Sequence, residues 1–140
     1  MYEYSRPVYY YETDKMGVVH HSNYIRWLEE ARDYYFNAVD LAYIVTESYG
    51  LMCPVIDLIL NYKHYARYGD VFTVRLKLTK YTGVRFRMAY TIENQEGKVL
   101  LEAESGHAFV GVNHKPVSLS RAIPHRHEIM KKLMEQGEKI

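Results

Sequence analysis

A single cysteine, Cys53, stands among the 140 residues. An intrachain disulfide is therefore excluded, and a reducing, cytoplasmic setting is the expectation. Charge of one sign is lacking as well, since 18 Lys plus Arg balance 17 Asp plus Glu. The basic residues are scattered rather than striped, which argues against a nucleic-acid partner. No apolar run reaches membrane-spanning length, and no basic-then-apolar leader opens the sequence. Neither a membrane span nor a secretory signal is expected. Internal repeats, linkers and low-complexity segments are missing too. Convincing metal spacing is missing: His20-His21 and His125-x-His127 each lack a third ligand, so no metal is expected. Cys53 has no activating partner in sequence and reads as a core residue.

What is present is tyrosine, 15 of them against one Trp and four Phe. A half-apolar ring with a polar tip suits strands and wet interfaces. Such a composition either hides aromatic surface against a second copy or is simple bias. The length predicts one domain over residues 1–140, large enough for a real core.

Residues 2–12 read as a strand, with Pro7 marking an edge or an irregular start, and Tyr9-Tyr10-Tyr11 as strand packing rather than an aromatic-acyl pocket. Residues 13–21 read as a loop whose positive-φ position is Gly17. Ser22 or Asn23 is the expected N-cap of a helix running from Tyr24 to about Val39. Ile25, Leu28, Ala31, Tyr35 and Val39 form its stripe, widened by Trp27, Tyr34 and Phe36, so burial on more than one side is expected. Arg26 and Glu30 are spaced as an i,i+4 pair. Glu29 reads as an ion-pair partner of Arg32 or Arg26, with a second catalytic carboxylate as the competing reading. A short helix follows over 40–49, capped by Gly50.

Four strands are expected next, over residues 52–65, 71–81, 84–94 and 98–112, forming a meander. The second alternates cleanly: Phe72, Val74, Leu76 and Leu78 against Val71, Thr73, Arg75 and Lys77. Ala66 to Asp70, Thr82-Gly83 and the stretch from Asn94 to Gly97 are the turns. Gly106 and Gly111 mark bulges or bends. A last helix starts near Pro124. One long helix set before four strands packs most economically inside a curled antiparallel sheet, an α+β arrangement. That leaves the outer sheet face and the strand edges exposed, and predicts a homo-oligomer.

The loop before the long helix carries the chemistry. Asp14 stands near a helix N-terminus, whose free N–H groups and positive dipole end suit a developing oxyanion. Gly17 allows the loop to fold tightly enough to bring the two together. On its own, Asp14 is also a plausible turn cap.

The residues Thr13-Asp14-x-x-Gly17-Val18-Val19-x-His21-x-Asn23-Tyr24, followed by Leu28-Glu29-x-Ala31-Arg32 and the turn from Tyr65 to Asp70, resemble hotdog-fold acyl-CoA thioesterases. More narrowly, they resemble the 4-hydroxybenzoyl-CoA thioesterase/YbgC-like branch, over about residues 8–112. The resemblance implies a five-stranded antiparallel sheet curled around one central helix, with short additional helices. It implies hydrolysis of an acyl-CoA, with Asp14 as nucleophile or general base and the His21 backbone N–H polarising the carbonyl. Val19, Asn23 and Tyr24 lie within the motif and are carried as substrate-binding positions. Lys80 and Arg85 are candidate contacts for coenzyme A. Thr82-Gly83-Val84 departs from the compact basic triplet of some relatives. The family works as dimers or dimers of dimers, here expected as a homotetramer, without a cofactor beyond the coenzyme A of the substrate. Two alternatives remain: a thioesterase for acyl groups on a carrier protein, docked by Lys63, Arg67, Lys80, Arg85 and Arg87, or a non-catalytic acyl-ligand-binding protein on the same fold. The His-plus-carboxylate arrangement of hotdog dehydratases is not evident.

Overall fold

The computed structural model describes residues 2–138; Met1, Lys139 and Ile140, the ends of the expected domain span, lie outside the described residues. Strand β1 (Tyr2–Pro7) is followed by a 3-10 turn (Tyr10–Glu12), helix α1 (Ser22–Ala38) and helix α2 (Tyr43–Ser48). Strands β2 (Val55–Tyr62), β3 (Val71–Tyr81), β4 (Arg85–Glu93) and β5 (Val99–Ala108) come next, then α3 (Leu119–Ala122) and α4 (Pro124–Glu138). The five strands form one antiparallel sheet in the order β1-β3-β4-β5-β2. This is the expected α+β architecture.

Alternation dictates the inner face. Phe72, Val74, Leu76 and Leu78 of β3 and Phe86, Met88, Tyr90 and Ile92 of β4 are all buried. They enclose α1 through Trp27, Leu28, Ala31, Tyr35 and Phe36. Trp27 stacks on Phe72 with centroids 3.9 Å apart and planes within 10°. Each such large apolar side chain stabilises the fold by about 1.5–3 kcal/mol on burial.

Several boundaries differ from expectation. β1 stops at Pro7, which has no N–H to continue a ladder. Tyr9 instead gives its N–H to the Glu12 side chain, and the chain coils into the 3-10 turn. Tyr10 and Tyr11 are thereby exposed rather than packed in a strand. Helix α1 starts two residues early, at Ser22, with His21 as N-cap and no side-chain cap bond. The expected caps are engaged elsewhere: Ser22 Oγ with His20 Nδ1, and the Asn23 amide with the Glu12 carbonyl and Arg26. Only one face of α1 is buried within the chain. Ile25, Glu29, Asp33 and Tyr34 are exposed, so Ile25 leaves the stripe and Asn23, Tyr24 and Arg32 join it. The Arg26–Glu30 pair does not form, because Glu30 binds Arg6 and accepts from the Tyr4 hydroxyl. Glu29 has no ion-pair partner among the described residues, so neither expected arginine engages it.

The largest correction is topological. β2 does not neighbour β3; it pairs with β5 at the sheet edge, and only β3, β4 and β5 form a meander. The segment 63–70 is a crossover rather than a hairpin turn. Its backbone docks on the Asp14 loop, through Val19 N–H to Ala66 O at 2.9 Å and Tyr68 N–H to Gly17 O at 3.2 Å. Gly106 does sit at an irregular stretch of the β2–β5 ladder, and for a packing reason. A Cβ there would lie 1.9 Å from Asp57 Oδ1, which pairs with Arg87.

Candidate active site

Glu12 anchors the loop that carries Asp14. Its carboxylate is buried and accepts Arg6 Nη1 and Tyr9 N–H on one oxygen, Arg6 Nη2 and Trp27 Nε1 on the other, all within 2.7–2.9 Å. Burial pushes this carboxyl up, but the Arg6 guanidinium, the Trp27 indole N–H and the Tyr9 amide outweigh it and hold it below the ordinary carboxylate value. Its main-chain carbonyl accepts His20 N–H at 3.0 Å and Asn23 Nδ2 at 2.9 Å. The two ends of the loop are thus tied to one residue.

Between those ends the loop is a miniature hairpin. Thr13 bridges Val19, and Asp14 N–H donates to Val18 O at 2.9 Å. Gly17 closes the turn by donating to Asp14 O at 3.0 Å with φ of 76°, where a non-glycine residue is strained. Asp14 Oδ1 accepts Met16 N–H at 2.8 Å and Val18 N–H at 3.3 Å. Oδ2 has no partner among the described residues, so the loop orients the carboxylate and leaves one oxygen available. The His21 backbone N–H also finds no acceptor among the described residues.

Asp14, Val19, His21 and Tyr24 line one cleft of ≈ 820 Å³. Tyr24 presents ring rather than hydroxyl, because its oxygen accepts Ala66 N–H at 2.9 Å. Asn23 is buried with its amide committed to holding the loop. Gly17 acts in the turn itself. Lys80 and Arg85 are not brought to this cleft. They line a smaller one of ≈ 220 Å³ at the far end of the β2–β5 ladder, with Asp57, Arg87 and His107. Among the described residues no group of three or more metal-ligating side chains gathers, and the rings of His20 and His21 contact each other at 4.2 Å.

Sequence reasoning assigned no role to Glu12, although it directly precedes the motif, and none to Tyr62, His64 or Lys98 in the cleft. Tyr62 donates its hydroxyl to the His21 carbonyl at 3.0 Å and meets Tyr24 edge-on. Tyr62 ends β2, His64 lies in the crossover and Lys98 precedes β5, so tertiary packing alone brings them to Asp14 and no local pattern reveals them. Lys63 and Arg67, grouped by sequence with Lys80, Arg85 and Arg87, are separated from those three by the same crossover. Cys53 is half-buried, and burial pushes its thiol up to about 12, far from a reactive thiolate.

Behind the site, Arg32 donates to Tyr90 Oη at 3.0 Å, Tyr90 meets Ser105 Oγ at 2.5 Å, and Ser105 meets His107 Nε2 at 2.7 Å. Burial, reinforced by the Arg32 charge, pushes His107 down to about 3. This network ties the middle of α1 to β4 and β5 across the core.

The model of the thioesterase-like superfamily matches residues 8–133. A Bacillus subtilis (strain 168) protein, provisionally named acyl-CoA thioesterase YneP, is 32% identical over 126 residues, 89% of this chain and 91% of its own length. A 1,4-dihydroxy-2-naphthoyl-CoA hydrolase from Thermosynechococcus vestitus is 28% identical over 118 residues, 81% of this chain and 78% of its own length. The crystal structure of a DHNA-CoA thioesterase from Staphylococcus aureus superposes with a TM-score of 0.91 at 31% identity, covering 98% of this chain and 93% of that one.

Proposed function

The chain belongs to the thioesterase-like superfamily, and from that premise we propose that it is a thioester hydrolase cleaving an acyl-coenzyme A to the free acid and coenzyme A. One observation carries the reading. The Asp14 carboxylate and the start of α1 face one cleft, with Asp14 Oδ2 and the His21 N–H both unengaged among the described residues. The names of the B. subtilis and S. aureus relatives support the same reaction.

In this reading the thioester carbonyl oxygen points at the His21 N–H, where the positive end of α1 favours the charge that develops. Asp14 Oδ2 either attacks the carbonyl carbon, expelling the thiolate and leaving an anhydride that water cleaves, or takes a proton from a water that attacks directly. Tyr62 holds the His21 peptide from its carbonyl side. Val19 and the ring of Tyr24 form wall. The reading invokes no cofactor, because coenzyme A enters with the substrate.

The proposal extends to assembly and place. β2 is an edge strand with Val55, Ile56 and Ile59 exposed, a surface suited to a second copy and hence to a dimer or a dimer of dimers, the homotetramer included. The single free cysteine supports a reducing cytoplasm.

The test is a thioester panel of short, long, branched and aromatic acyl-CoAs, run with wild type and Asp14→Asn. At least one substrate turns over, and Asp14→Asn lowers its kcat by about 10²–10⁴, the usual weight of a positioned base. Near-wild-type turnover in Asp14→Asn overturns the assignment.

A further inference from the structure

The cleft beside Asp14 holds more positive charge than hydrolysis uses. Lys63 and Arg67 enter it from the crossover between β2 and β3, and Lys98 from the loop leading into β5. Asp14 is the sole carboxylate among its lining residues. None of the three cations has a carboxylate within ion-pair distance among the described residues, whereas Arg6, Arg75 and Arg87 are all paired.

Their convergence is built by the backbone. Lys63 N–H donates to Leu100 O at 2.9 Å, which holds the crossover against β5. Lys98 N–H donates to Asn94 Oδ1 at 3.0 Å. Arg67 bridges Val18, four residues from Asp14. Like charges gathered from three segments repel one another, and an anion relieves that repulsion. The anionic Asp14 by itself would repel a negatively charged substrate; three cations in the same cleft reverse the sign of the local field.

The geometry points to an anion subsite formed by Lys63, Arg67 and Lys98, which grips a negatively charged oxygen group of the thioester substrate while Asp14 faces the carbonyl. Arg67 supplies a planar fork for a carboxylate or phosphate, and the lysines supply point charges. The subsite presupposes the thioester hydrolysis proposed above. Its anion has two sources: an acidic group on the acyl chain, or the phosphates of coenzyme A. Both present the same oxygen chemistry.

The experiment compares wild type with the Lys63→Gln/Lys98→Gln double variant at low ionic strength. The substrates are the best neutral acyl-CoA of the panel and its counterpart carrying a terminal carboxylate. Both lysines are exposed, so the fold is expected to survive, and an unchanged thermal midpoint checks this. Arg67→Lys, which keeps the charge but removes the fork, is the second variant. An acyl anion predicts a loss of about tenfold in kcat/KM on the acidic substrate alone, the size of two modest charge contacts. Coenzyme A phosphates predict about the same loss on both substrates, carried by KM, with equally weakened inhibition by the adenosine bisphosphate portion of coenzyme A. A double variant within about twofold of wild type on both substrates overturns the subsite and leaves the hydrolase reading standing. A wild type that cleaves no thioester overturns both.

Discussion

The indole N–H of Trp27 donates to the Glu12 carboxylate at 2.7 Å, so the residue that opens the Asp14 loop is bonded to the buried face of the helix which that loop feeds. Arg6 supplies the balancing charge through two hydrogen bonds to the same carboxylate, and its guanidinium lies 4.0 Å from the Tyr9 ring centroid. Glu12→Gln keeps the shape and removes the charge. It is expected to destabilise the protein by about 1–3 kcal/mol, because the charge-assisted bonds from Arg6, Tyr9 and Trp27 lose their anionic acceptor and Arg6 keeps Glu30 as its carboxylate partner. Urea unfolding checks the magnitude. A change below about 0.5 kcal/mol, the ordinary effect of a surface substitution, sinks the anchor assignment.

Gly17 separates conformation from packing. A Cβ there meets nothing within 4 Å, so the cost of substitution comes from φ alone. Gly17→Ala is expected to lose about 1–2 kcal/mol of stability and Gly17→Asn less, since Asn tolerates the left-handed region. Activity on the best thioester should fall further than stability, because the turn aims Asp14 and a displacement of about 1 Å costs on the order of 10²-fold in rate. Equal losses in the two measurements would show that the turn supports the fold and not the carboxylate.

Acid stability should fall in two windows. His107 is held neutral, with its folded value near 3 against an unfolded value of 6.5. Its stabilising contribution is full above 6.5 and is lost as pH falls toward 3, because the unfolded chain takes up the proton first. The slope approaches about 1.4 kcal/mol per pH unit for one proton. Glu12, depressed below 4.5, contributes fully above that value and loses its contribution at lower pH. Denaturant midpoints between pH 7 and 3 should therefore begin to drop near 6.5 in wild type. In His107→Gln the drop should begin nearer 4.5; an unchanged profile in that variant refutes the role of His107.

Edge strand β2 exposes Ile59 on a sheet whose last ladder partner is β5. Ile59→Lys places a charge on that edge, a common block to strand pairing. Light scattering after gel filtration should give a dimeric or larger mass for wild type and a smaller one for the variant. A monomeric wild type removes the assembly proposal.

The alternation of β3, the turn at Gly17 and the sequence of Asp14 before a helix start were legible residue by residue. Each depends on spacing or on one backbone angle, and those are local properties. The motif from Thr13 to Tyr24 likewise identified the family, because its residues serve one contiguous loop. Tertiary structure decided the rest. β2 carries an apolar pattern that suits either neighbour, and only the docking of 63–70 on the Asp14 loop sends it to β5. That crossover delivers Lys63 and Arg67 to the cleft and leaves Lys80 and Arg85 at the other end of the ladder. Glu12 read as the last residue of a strand until three separate donors, one of them fifteen residues away on α1, enclosed its carboxylate. Long-range pairing sets these positions, and a pairing between distant segments leaves no period in the sequence of either one.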